Sequence, residues 1–119
     1  MPDYLPKFTP GSAITFTASA DVTGGRLVQV TGNRLVGPAV ADSASVVGVA
    51  AFDAEAGDPV TVYTRAGGVH PLIASGAIAA GARVSADTGG RVKTAAAGDV
   101  IGWTLTSAAS AGSVVEVCF

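Results

Sequence analysis

One cysteine, one histidine and one tryptophan in 119 residues leave little material for chemistry. A lone Cys118 excludes an internal disulfide framework. A catalytic cysteine needs a neighbour that stabilises its thiolate, and none is identifiable, so Cys118 reads as a small buried hydrophobe. His70 has no nucleophile or orienting partner recognisable beside it and reads as a lone surface histidine. Charge is scarce as well, with 13% of residues charged and a net charge of −2. The arginines are scattered, and the basic stripe that phosphate neutralisation requires is missing, which argues against nucleic-acid binding. The glycines never fall into a dinucleotide or P-loop pattern, so no nucleotide cofactor is expected. The amino-terminal stretch MPDYLPK carries neither the basic nor the apolar region of a secretory signal, and synthesis in a cytoplasm is the expectation. The uncharged stretch Pro71 to Ala82 is too short and too rich in Gly and Ala to span a membrane.

What is present is small and apolar. Hydrophobic residues make up 49% of the chain and aromatic ones only 6%. Ala, Val and Gly supply the bulk, so one domain with a thin core of small side chains is expected. Burial is worth about 25 cal/mol per Å² of apolar surface, and small side chains bury less of it. Together with a surface poor in charge, this points to extra burial through self-association.

The chain also repeats itself. Arg26 to Leu35 (RLVQVTGNRL) is echoed by Arg83 to Val92 (RVSADTGGRV), and Val47 to Val62 by Ile101 to Val117. Two copies of a strand-turn-strand unit are too few for a solenoid, which needs about three, so the copies are expected to pack on each other. Strands are predicted at 14–18, 26–30, 35–36, 46–52, 59–64, 68–73, 83–86, 91–94, 100–106 and 113–118. Pro71 places its strand at an edge. Gly32 and Asn33 are expected at the centre of a type II′ hairpin turn, with Gly89 and Gly90 in the same place in the second copy. Residues 74–81 are ambiguous, since alanine favours helix while Gly76 and Gly81 limit it to a turn or two. No segment sustains a 3.6-residue apolar period. The expected fold is all-β: a compact barrel or tulip-like domain over 14–119, with repeat-like halves at about 20–64 and 77–119, and at most one short helix.

Residues 1–13 are of another kind. Prolines at 2, 6 and 10 oppose helix, yet Tyr4, Leu5 and Phe8 are bulky and apolar, which predicts an extended arm that docks on something. The acidic stretch Asp53, Glu55 and Asp58 around Gly57 does not have the spacing of a calcium loop and reads as a solvated hairpin turn. Trp103 stands where the first copy has Val49. It is either a plug for a core of small residues or an anchor at a subunit interface.

The ordered stretches ASVVGVAAFD (44–53) and VTVYTRAGGV (60–69) resemble the lambda-type head decoration proteins. Across 57–72 and 77–105 the chain is similar to tailed-phage capsid decoration, or cement, proteins more widely. The resemblance implies a non-enzymatic protein without cofactor that sits as a homotrimer on the outer surface of the expanded icosahedral shell. It would bind the major capsid protein and reinforce the shell, after synthesis in the bacterial host cytoplasm. It also implies that the arm reaches the shell, with Tyr4, Leu5, Phe8, Ile14 and Phe16 as contacts and strand addition along 12–18. A carbohydrate- or receptor-binding β module on a virion or cell surface is the alternative. A small metal-binding barrel would need several histidines or a carboxylate cluster.

Overall fold

The computed structural model describes residues 7–9, 11–65 and 68–119. Ten strands fill two five-stranded units. The first is a closed barrel of β1 (Ala13–Ala18), β2 (Leu27–Gly32), β3 (Leu35–Pro38), β4 (Val46–Ala50) and β5 (Pro59–Thr64), in the order β1-β3-β2-β4-β5. The second contains β6 (Val69–Ile73), β7 (Arg83–Asp87), β8 (Arg91–Thr94), β9 (Gly102–Thr104) and β10 (Val114–Cys118), in the order β6-β10-β9-β7-β8. The two orders are one cycle. A parallel β1·β3 pairing closes the first unit, whereas the second is an open sheet in which a single parallel bridge between Ala74 and Val92 brings the residue after β6 beside β8. Pro71, which has no N–H to donate, lies in β6 at the end of the strand order, as expected.

Alternation builds each unit. Val60 and Val62 are fully buried while Thr61 and Tyr63 point outward, and Val115 and Val117 do the same on β10. The first core gathers Phe16, Ala18, Val22, Val28, Val36, Ala54, Val60 and Val62. By strand pairing, their counterparts are Leu72, Ala74, Ile78, Val84, Val92, Ala108, Val115 and Val117, all in the second core. Two inward positions turn polar: His70 stands where the first unit has Ile14, and Thr104 stands where it has Ala50, its hydroxyl donating to the Ala79 carbonyl at 2.7 Å and so satisfying its own burial.

This pairing corrects the register suggested by the letters. Val28 faces Gly48 and Val84 faces Gly102, so Arg83 occupies the position of Leu27, not of Arg26. A slip of one residue would turn every side chain to the opposite face, and burial therefore decides the alignment. The first hairpin turn also differs from expectation. Gly32 is a strand residue paired with Leu35, and the turn is Asn33-Arg34, with the positive φ of 56° at Arg34. In the second copy Thr88–Gly90 forms a single 3₁₀ turn, with φ of 74° at Gly89 and 77° at Gly90. The stretch 74–81 is not helical. Ile78 bridges Ala108 as Val22 bridges Ala54, so the repeat takes precedence over alanine's helix propensity.

The units join through Leu27, Ala39, Val46 and Val49, which pack into the second core beside Ile101. Gly90 N–H donates to the Ala39 carbonyl, and Asp42 N–H to the Ala86 carbonyl. Lys93 meets the Asp42 carboxylate at 3.0 Å. Arg65 reaches the Val46 carbonyl at 3.2 Å and that of Val100 at 3.5 Å.

Candidate functional site

Direct cross-strand partners share a face of a sheet. On the outer side of the second unit, Val69, Cys118, Trp103 and Arg83 are successive partners across β6, β10, β9 and β7. Trp103 is 48% exposed and Val69 49%. The core-plug reading of Trp103 is therefore set aside: it pairs outward, opposite Arg83, and the core behind it is filled by valines. Cys118 is half-buried in the same row. Beside that row, Leu105 N–H donates to the Glu116 carbonyl, and Ile73 pairs with Val114 one step further on. Val114 and Leu105 are both exposed. The result is an apolar face on β6, β10 and β9 that is interrupted by Glu116 and bordered by Arg83 on β7.

The corresponding face of the first unit is built of other residues. Ala13, Tyr63, Val49 and Leu27 form the equivalent row. Leu27 is completely buried and Val49 is 4% exposed, because the second unit covers them. Further along, Thr15 and Thr17 stand where β6 has Pro71 and Ile73. Ala51, whose N–H donates to the Thr61 carbonyl, stands where Leu105 does. Sequence reading found Trp103 but missed Val69, Leu105 and Val114. Comparing the two copies at outward positions would have found them.

The candidate arm contacts separate. Tyr4 and Leu5 lie outside the described residues. Phe8 is exposed, and the Arg34 guanidinium lies 5.3 Å from its ring centroid and equally far from that of Phe16. Arg34 also donates to the Thr15 carbonyl at 2.6 Å. Phe16 is only 7% exposed and Ile14 packs against the first core. Phe16 is committed to the barrel interior, which speaks against a shell contact there, while Ile14 is half-buried. β1 is paired with β5 from Ala13 to Thr17 and with β3 only at Thr17 and Ala18, so these pairings oppose strand addition at Thr17 and Ala18 and not along the whole of 12–18.

The acidic residues behave as turn builders. Asp53 accepts the Gly24 N–H at 2.7 Å and Asp21 accepts that of Ala56 at 3.0 Å. Among the described residues, no three His, Cys, Asp or Glu side chains gather closely enough to hold a metal ion. His70 is half-buried, with ring centroids 6.3 Å from Tyr63 and 5.1 Å from Phe119, and burial lowers its pKa.

Known proteins can now be set beside this geometry. Residues 8–119 match the phage cement protein family. The chain belongs to that family. It is a structural protein of the phage capsid and has its place on the virion. Among solved structures, this cement protein has the fold of the head fiber gp8.5 N base in bacteriophage phi29. The TM-score is 0.68 at 22% identity, over 91% of this chain and 92% of that one. None of the curated proteins matches it.

Proposed function

We propose that this cement protein binds the outer surface of the expanded icosahedral shell as a homotrimer and stabilises that shell. Its partner is the major capsid protein of the same phage, and its site of synthesis is the bacterial host cytoplasm. The family match over residues 8–119 is the observation that carries the reading. The likeness to the base of a fiber named for a phage head agrees with a head-surface position. Two fused β units with thin valine cores suit a part that works by fit and number.

The physics requires no reaction. A ligand that binds only the expanded shell stabilises it by about 2.7 kcal/mol per site at a free concentration of 100 Kd. Three copies held together turn weak contacts into an assembly that outlasts any one of them by a factor of about 10² to 10⁴. In this reading Tyr4, Leu5 and Phe8 supply the arm's apolar contacts with the shell.

The test mixes purified protein with expanded heads and with unexpanded precursor shells, followed by heating. Binding to expanded heads alone, with DNA release moved to higher temperature, is the expected result. A chain lacking residues 1–8 should keep its fold and lose shell binding. Equal saturation of expanded heads by the truncated chain would remove the arm from the account. Failure of the full chain to bind heads at all would overturn the function.

A further inference from the structure

We propose that Arg34 is the positioning residue of the amino-terminal arm: its guanidinium clasps Phe8 to the first barrel and so fixes where the arm leaves the body. The inference rests on the shell-binding reading above and adds to it the residue that prepares the arm.

The backbone gives the first sign. Arg34 holds a left-handed φ of 56° in the turn between β2 and β3, a conformation uncommon outside glycine. The second unit has Gly90 in the same place, with φ of 77°. Val36 and Val92 hold matching parallel pairs, and Arg34 and Gly90 each stand two residues before them. An arginine kept where glycine serves points to work done by its side chain.

That side chain is tied to the barrel before it meets the arm. The Thr15 carbonyl on β1 accepts from the guanidinium at 2.6 Å, and the Phe16 ring centroid lies 5.3 Å from it. Phe16 is itself rooted in the first core. On the arm side, the Phe8 ring centroid lies 5.3 Å away as well, within the range of a cation–π contact.

The chain between Phe8 and β1 is built to bring Phe8 back to this point. Ser12 N–H donates to the Thr9 carbonyl at 3.1 Å, the two hydroxyls lie 2.8 Å apart, and Gly11 has φ of 82°. Pro10-Gly11 is the dipeptide that type II turns favour. The Ser12 carbonyl accepts from the Thr64 hydroxyl on β5 at 3.4 Å, which ties the end of this turn to the barrel. Phe8 remains 39% exposed, so its ring is held by Arg34 and open to a partner at once. An arm ordered at its root in the free protein loses less freedom on meeting the shell.

Trypsin cuts after Lys7, immediately before Phe8, so release of residues 1–7 reads the clasp. Arg34→Ala and Arg34→Gly both remove the side chain but differ in backbone strain. Release should be faster in both by the same factor of about 2 to 5, the equivalent of one exposed cation–π contact, whatever their melting temperatures. Binding to expanded heads should weaken by a similar factor in both. In a Phe8→Ala background, Arg34→Ala should change head binding no further. Release at the parent rate overturns the proposal and, with the parent still bound to heads, leaves the shell reading standing. Release rates that track the melting temperatures would mark a merely structural residue and overturn it too. Faster release with unchanged or tighter head binding removes the positioning role. A parent protein that does not bind heads overturns the shell reading and this role with it.

Discussion

Gly90 lies against the Leu27 carbonyl oxygen, where a Cβ on the glycine would stand 2.5 Å away. Here the second hairpin meets the first barrel, and the obstacle is backbone that cannot rotate aside. Gly90 also holds φ at 77°. Gly90→Ala is therefore expected to cost about 3 kcal/mol, combining left-handed strain with steric displacement of the unit junction. Gly25→Ala is the control. It has φ of 80° and open space at its Cβ, so only the conformational cost of about 1 kcal/mol applies. Urea denaturation of the two variants measures the difference, and equal midpoints would mean that the junction is slack.

Gly48 and Gly102 are repeat equivalents with one cause. A Cβ on Gly48 would overlap the Tyr63 carbonyl oxygen, and one on Gly102 that of Cys118. Each lets its strand pass close to the neighbouring strand. Alanine at either site should push the strands apart and cost about 2 kcal/mol or more. Amide exchange should rise in β4 and β5 for Gly48→Ala, but in β9 and β10 for Gly102→Ala. A uniform rise across both units would contradict the local origin.

These positions also explain which parts of the fold could be read from the letters. The runs VVGVA and IGWT mark β4 and β9 because valine alternation and a single glycine leave few other readings. Strand ends at Pro59, Thr64, Arg91 and Thr94 were legible for the same reason. The hairpin register was not: the shared arginine and Thr-Gly letters align one residue away from the pairing, and only burial of Val28 and Val84 reveals this. The outward face was half legible. Trp103 stood out by its type, whereas Val69, Leu105 and Val114 look like core residues until strand pairing shows which way they point. The first strand was legible from the alternation of Ile14 to Ala18, and β1 runs from Ala13 to Ala18.

Arg34 carries a positive φ of 56° and also holds the rings of Phe8 and Phe16 and the Thr15 carbonyl. Removing the side chain loses these contacts, and glycine in addition relieves the backbone. Arg34→Gly should therefore be more stable than Arg34→Ala by about 1 kcal/mol, with both at or below the parent. Thermal melts of the three proteins decide it. Alanine matching glycine would mean that the left-handed turn carries no strain.

Ser85 is fully buried on β7, and its hydroxyl finds no hydrogen-bond partner among the described residues. Leaving a buried hydroxyl unsatisfied costs about 1–3 kcal/mol, while the methyl of alanine fits the same space. Ser85→Ala is expected to raise the urea midpoint, by roughly 1 kcal/mol of stability. A fall of similar size would show that the hydroxyl is bonded in solution.

His70 links the two units through its ring, between Tyr63 of β5 and Phe119 at the carboxyl end. Two effects compete there. Aromatic faces favour the imidazolium, whereas loss of water disfavours it, and desolvation prevails, lowering the pKa from 6.5. As the pH falls through 6.5 the unfolded chain takes up its proton first, while folded His70 stays neutral until a lower pH. Stability is therefore complete above 6.5, declines in the window just beneath it, and stops changing on this account once folded His70 is protonated too. Melting temperatures should fall as the pH drops from about 7.5 to about 5. His70→Phe, which keeps a ring in place, should remove this component of the slope. An NMR titration placing the pKa above 6.5 would reverse the argument, because the stack would then be binding the proton instead of excluding it.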